Sequence, residues 1–222
     1  VIGELLPPPV SAVEMFGDPE PLPELFPEEE AVVARAVAKR RTEFATVRGC
    51  ARTALERLGG PRVPLLPGER GAPRWPAGFL GSMTHCAGYR AAAVARTGGT
   101  LASIGLDAEP HEPLRDDGVL ELVSLPEERE HLAKLAAGHP RVRWERLLFS
   151  AKESVYKAWF PLTGQWLGFE QARVTFDPGA GTFEAELLVP GPVVDGVGVG
   201  RFGGRWLVRD GVLLTAITVP RP

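Results

Sequence analysis

Apolar residues recur at helical spacing early in the chain: Val33, Val37, Phe44, Val47, Ala51, Leu55 and Leu58. Glu28, Glu29 and Glu30 precede them and suit the positive end of a helix dipole. Gly59-Gly60-Pro61 ends the pattern. A span of roughly thirty residues is long for a globular helix, so a break is expected within residues 41–46. Ahead of it, the prolines between Pro7 and Pro27 predict loop or extended chain, with one short strand near residues 10–16. Residues 61–81 read as turn-rich. Residues 82–86 read as a short strand, and residues 90–95 as a second strand or a short helix. Residues 101–109 predict a buried strand through Leu101, Ile104 and Leu106, closed by Pro110 and Pro113. Helical patterns follow at residues 119–123 and 127–137, with Pro126 at a first helical turn. The strongest helix covers residues 142–159, with Trp144, Leu148, Ala151, Val155 and Ala158 as its apolar stripe and Pro161 as its stop. From Phe169 the texture is β: residues 173–176, 182–189, 198–202, 205–209 and 212–219, with Asp210-Gly211 as a hairpin turn.

The pattern is therefore two successive blocks of mixed helix and strand. The 222 residues suit one large domain or two small ones packed together. Hydrophobic residues make up 44% and charged residues 24%, which supports a buried core and excludes a chain disordered throughout. The net charge of −3 gives no bulk attraction to nucleic acid or an anionic membrane, so any basic site must be a local patch. No apolar run approaches the about 18 residues of a membrane span. Residues 1–9 lack a basic region leading an apolar one, so no secretion signal is expected. Cys50 and Cys86 make neither a disulfide framework nor a metal motif, and the expectation is two reduced thiols in a cytoplasmic protein.

Four groups of residues carry candidate chemistry. Asp107 and Glu109 stand two apart on a strand and so share a face. Two carboxylates there repel unless a cation lies between them, and magnesium fits because it takes oxygen ligands and retains waters. The same pair also reads as a solvated strand end before Pro110. Lys152, Glu153 and Lys157 lie on the strongest helix; Glu153 and Lys157, at i and i+4, are equally an ordinary surface pair worth ~0.2–0.5 kcal/mol. Together with Asp107 and Glu109 they supply three carboxylates and two lysines, suitable parts for a metal-bound pyrophosphate. On the first helix Arg41, Arg48 and Arg52 share a flank, whereas Arg40 falls inside the apolar stripe. A guanidinium there needs an anionic partner or a bend that frees it. Arginine grips phosphate in a bidentate way, but a basic face snorkelling to water reads the same. Finally, His85 sits among small and polar residues between Gly81 and Gly88, where backbone can approach a ligand, although a structural histidine fits too. His111, His131 and His139 have no metal-like spacing.

Three strings in this order and spacing carry a resemblance. They are Gly81-Ser82-Met83-Thr84-His85-Cys86-Ala87-Gly88-Tyr89, Ile104-Gly105-Leu106-Asp107-Ala108-Glu109, and Phe149-Ser150-Ala151-Lys152-Glu153-Ser154-Val155-Tyr156-Lys157-Ala158-Trp159. The chain resembles the 4′-phosphopantetheinyl transferases, the larger monomeric pseudo-dimeric class and its actinobacterial members in particular. Lys39-Arg40-Arg41, Pro73-Arg74-Trp75-Pro76 and Trp166-Leu167-Gly168-Phe169-Glu170 extend the likeness, which runs from about residue 28 to 170.

The resemblance implies an α+β fold of two similar subdomains about a pseudo-twofold axis, residues 1–103 and 104–222, with a ligand cleft between them. It implies an enzyme that moves the phosphopantetheine arm of coenzyme A onto a serine of an apo acyl or peptidyl carrier protein, releasing 3′,5′-ADP. Asp107, Glu109 and Glu153 would hold Mg²⁺ or Mn²⁺. Glu153 would also be the base, with Lys157 stabilising phosphate charge and Lys152 contacting the phosphates. Arg40, Arg48 and His85 would hold the 3′-phosphate and pyrophosphate end of coenzyme A. Arg70 would add a basic contact, and Thr84 and Ala108 would line the site. The nucleophile arrives on the partner, so no Ser-His-Asp set is required. Cys86 stands where many relatives carry serine, which leaves no hydroxyl at that position. Rival readings are a magnesium-dependent nuclease and a non-catalytic module binding coenzyme A or a carrier protein.

Overall fold

Two antiparallel sheets meet along one seam in the computed structural model, which describes residues 1–114 and 117–222. The first holds β1 (Ser11–Phe16), β3 (Tyr89–Arg96) and β2 (Phe79–Cys86), in that order. The second runs β4 (Leu101–Pro110), β10 (Val212–Pro220), β9 (Arg201–Arg209), β6 (Thr182–Leu187) and β5 (Ala172–Asp177). A two-stranded ladder, β7 (Val193–Val194) with β8 (Val197–Gly198), stands apart. Each sheet carries a 20-residue helix: α2 (Ala38–Arg57) lies on the first and α5 (Trp144–Thr163) on the second. Shorter helices α1 (Pro27–Val33), α3 (Asp117–Val123) and α4 (Pro126–Gly138) flank them. The halves are alike in plan and unequal in size.

The seam explains how one site draws on both halves. β4 is an edge strand, and the amides of Leu106 and Ala108 on its free edge need acceptors. Those acceptors are side chains of β2: Leu106 N–H donates to Ser82 Oγ and Ala108 N–H to Thr84 Oγ1, each at 3.0 Å. Hydroxyls on alternate residues of β2 thus replace a backbone ladder. On its other side β4 lies against α5 at Gly105. A Cβ there would stand 2.0 Å from the Ser154 carbonyl oxygen, so only glycine permits this approach.

The core has three parts. Trp144, Leu147, Leu148 and Val155 of α5 pack on Phe176, Phe183, Phe202 and Leu213 of the large sheet. Cys50, Ala51 and Leu55 of α2 pack on Ala92 and Val94 of β3. Between them, Ile2, Leu5, Tyr89, Ala91 and Ala93 meet Leu106, Ala108 and Leu214, joining the two halves. Residues 89–95 are buried in sequence, so both faces of β3 are covered. That burial settles the alanine-rich segment as strand despite its helix propensity.

Three boundaries differ from expectation. The first helix breaks at residues 34–37, earlier than residues 41–46. The break frees Arg40 to an exposed position, while Arg41 turns back to pair with Glu30. Pro161 does not stop α5, which continues to Thr163 and ends on Gly164 in the left-handed region (φ 64°), its amide bound to Phe160 O. A proline in the last turn removes one amide donor where little helix remains to lose. Residues 198–202 and 205–209 are not two strands, because β9 runs unbroken from Arg201 to Arg209.

Candidate active site

The end of β4 carries Asp107, which is 5% exposed. Its Oδ1 accepts from Lys157 Nζ at 2.7 Å and faces Thr84 Oγ1 at 3.5 Å. Its Oδ2 is buried without a hydrogen-bond partner among the described residues. Glu109, two residues on, accepts from Arg146 Nη1 at 2.8 Å. The same guanidinium donates to the carbonyls of Glu112 and Pro113, fixing the chain that leaves β4. Glu153 faces this group from α5. Burial first, and then the Asp107 charge, holds both Glu109 and Glu153 above the ordinary carboxylate range.

Arg146 was not among the expected site residues. Its signal was helical spacing: Arg146, Glu153 and Lys157 recur at seven and four residues and share one face of α5. The same geometry corrects Lys152. It falls with Leu148, Val155 and Trp159 on the apolar face, so its ammonium is carried away from Asp107 and Lys157. Lys152 Nζ instead donates to Glu128 Oε2 and to the Phe169 carbonyl, each at 2.7 Å. Glu128 in turn accepts the amides of Leu125 and Val174. The pair ties α4, α5 and β5 together and is structural.

A second group lies on the first half. Arg40 Nη1 donates to His85 Nε2 at 2.8 Å. Arg48 is buried, stacks on the Phe44 ring and donates to the Leu65 carbonyl. Burial and the neighbouring cations Arg40 and Arg52 bring its pKa down to about 10. Arg40, Arg48, Thr84, His85 and Lys157 line one continuous wall of the cleft. Arg52 is excluded from that wall, because both oxygens of the fully buried Glu29 hold it at 2.9 Å. Arg70 stands across the cleft with its guanidinium 5.4 Å from the Trp166 ring. Cys86 is buried and burial pushes its thiol up to about 12; Cys50 rises to about 11 for the same reason. Neither thiol is a nucleophile in this state.

Beyond Lys157 the cleft opens into a pocket of about 510 Å³. Phe79, Leu80, Ile104, Tyr156 and Phe160 supply its apolar lining. Cations thus lie at one end, carboxylates at the seam and an apolar channel at the other end.

Among the described residues no three metal-binding side chains form a ready-made cage. Magnesium does not demand one: it binds through one or two carboxylates, waters and substrate phosphates. Lys157 and Arg146 face this group, yet Asp107 Oδ2 has no hydrogen-bond partner among the described residues, and burial followed by the Asp107 charge raises Glu109 and Glu153. The donor set therefore fits an oxygen-seeking divalent ion.

Two helix-on-sheet halves thus meet at a cleft with cationic side chains on one wall and carboxylates at the seam. Comparison with known proteins gives the family. Residues 28–95 match the model of the 4′-phosphopantetheinyl transferase N-terminal domain, and residues 103–189 that of the 4′-phosphopantetheinyl transferase superfamily. The chain is 63% identical to the 4′-phosphopantetheinyl transferase Svp of Streptomyces mobaraensis over 91% of this chain and 82% of that one. It is 51% identical to Npt of Nocardia iowensis (98% and 99% covered) and 48% identical to PptT of Mycobacterium tuberculosis (93% and 90%). The chain belongs to the 4′-phosphopantetheinyl transferase superfamily. It is an enzyme of the holo-carrier-protein synthase type, moving the phosphopantetheine arm of coenzyme A to carrier proteins.

Proposed function

We propose that the seam between β4 and α5 is where the serine hydroxyl of an apo acyl or peptidyl carrier protein attacks coenzyme A. The observation that carries this reading is the order along the cleft: Arg40, Arg48 and His85, then Asp107 with Lys157, then the apolar pocket. Coenzyme A has the same order of phosphates, pyrophosphate and arm. Arg40, Arg48 and His85 hold its phosphorylated nucleotide end, with Arg70 and Thr84 lining the path. Glu153 takes the serine proton, for which a carboxylate of raised pKa is suited. The serine oxygen bonds to the phosphorus that bears the arm, and the bond to the bridging oxygen breaks, so that 3′,5′-ADP leaves. Lys157 neutralises charge on the phosphate under attack. Asp107, Glu109 and Glu153 would hold Mg²⁺ or Mn²⁺, which supplies Lewis-acid charge neutralisation when bound.

Residues 1–103 and 104–222 form the two walls of this cleft in a monomer. The setting is the cytoplasm, which two free buried thiols favour. Neither nucleic acid nor membrane is a partner. The net charge of −3 offers a polyanion no field, and among the described residues no helix is long and apolar enough to cross a bilayer.

The test is the intact mass of an apo carrier protein after incubation with the enzyme, coenzyme A and Mg²⁺, with and without EDTA. A gain of one phosphopantetheine mass, blocked by EDTA, is expected. A gain unaffected by EDTA overturns the cation assignment, and no gain across fatty acid, polyketide and peptidyl carriers leaves a binding module.

A further inference from the structure

Glu43 is a buried carboxylate on α2 that the transfer mechanism above does not use. It faces His85, whose protonation the hydrogen bonds define. Arg40 Nη1 lies 2.8 Å from His85 Nε2, and a guanidinium only donates. Nε2 is therefore the acceptor, and the ring proton sits on Nδ1. Nδ1 lies 3.8 Å from Glu43 Oε2. The other Glu43 oxygen lies 3.7 Å from Arg90 Nη2, and Arg90 also pairs with Asp18 at 2.9 Å. Glu43 thus offers one oxygen to Arg90 and the other to His85.

An anion that binds His85 needs an N–H at Nε2. One route moves the proton from Nδ1 to Nε2, but this turns the Nδ1 lone pair toward a carboxylate, which is repulsive. The other adds a solvent proton to Nε2 and keeps Nδ1–H toward Glu43. That route leaves an imidazolium between two negative groups, which is attractive on both sides. We propose that Glu43 is a positioning residue that holds His85 in its Nδ1–H form, so that the anionic end of coenzyme A enters together with one solvent proton. The inference rests on the proposed placement of coenzyme A in this cleft.

The surroundings agree. Burial is the largest influence on His85 and lowers its pKa, which favours the neutral ring. Arg40 on α2, Arg90 on β3 and Lys157 on α5 push the same way, and Glu43 opposes them. A bound phosphate offsets those cations and leaves Glu43 to favour the charged ring.

The test is calorimetric titration of the enzyme with coenzyme A at pH 7.5, in two buffers of different ionisation enthalpy. Uptake of about one proton per coenzyme A is expected, with Kd rising about tenfold per pH unit on the alkaline side. His85→Gln should show no uptake. Glu43→Gln should show little, because its amide can donate to a deprotonated Nδ1 and so permits the tautomer shift. Zero uptake by the unmodified enzyme, or undiminished uptake in Glu43→Gln, overturns the inference. If Glu43→Gln fails to fold, nitrogen chemical shifts of His85 decide it: Nδ1–H alone in the free enzyme, and both nitrogens protonated once coenzyme A is bound. A ring that stays neutral in the complex also overturns it. Failure of the cleft assignment reads differently, as absence of coenzyme A binding and of transfer; binding and transfer without proton uptake removes only the role of Glu43.

Discussion

Glu153 and Lys152 are neighbours in sequence with opposite fates. On an α-helix they point about 100° apart, which sends one to the cleft and the other into the core. Lys152 ends in a buried pair with Glu128, whereas Glu153 stays among like charges with its pKa raised. A carboxyl whose folded pKa lies above its unfolded value favours the fold below the ordinary carboxylate range. That contribution is lost as pH rises through the raised value. Ionising Glu153 therefore weighs against stability, a cost that fits its proposed role as the base. Glu153→Gln is expected to abolish transfer, read by carrier-protein mass, while the melting temperature at pH 7.5 stays level or rises. In the unmodified enzyme, transfer should fall as pH is lowered through the raised Glu153 value, since the base must be ionised. A Glu153→Gln enzyme with near wild-type turnover removes the base assignment.

At the scale of elements, the site depends on how β4 is held. The strand itself was legible, because Leu101, Ile104 and Leu106 between prolines leave little else. So were α5, from its stripe, and the hairpin at Asp210-Gly211, where Asp210 takes φ 51° and Gly211 φ 78°. The seam was not legible, since nothing in Ser82 or Thr84 alone says that its hydroxyl will accept an amide from a strand 24 residues away. The break at residues 34–37 was misplaced because no glycine or proline marks it. Its signal was the conflict of Arg40 with the apolar stripe, which a bend resolves. The motif alone points Lys152 at the phosphates, whereas its helical face turns it to Glu128 and the Phe169 carbonyl. The seam yields a direct test in Thr84→Val, which keeps the side-chain shape and removes the acceptor. The Ala108 amide is then buried and unpaired, at a cost of about 1–3 kcal/mol by urea unfolding. Transfer should fall with it, because Asp107 precedes that amide on β4. Unchanged stability would mean that the Thr84 hydroxyl contributes nothing to the seam.

At the scale of the molecule, the two halves share one core and one site. Ile2, Leu5, Tyr89, Ala91 and Ala93 from the first half cover Leu106, Ala108 and Leu214 of the second. Residues 104–222 alone would expose that apolar surface together with the free edge of β4, both of which oppose independent folding. A fragment of residues 104–222 is therefore expected to lack a cooperative melt, and the whole chain to unfold in one transition. Trp75 lies in the first half and Trp144, Trp159, Trp166 and Trp206 in the second, so two probes can follow them separately. Tryptophan fluorescence of Trp75→Phe, which reports the second half alone, and far-ultraviolet circular dichroism, which reports both halves, should give coincident midpoints. Coenzyme A at about a hundredfold its Kd should raise both midpoints together, through about 2.7 kcal/mol of added stability, because both halves line the cleft in which it is proposed to bind. Separate midpoints, or a ligand shift confined to one probe, would show that the halves fold independently and that the cleft forms only after they dock.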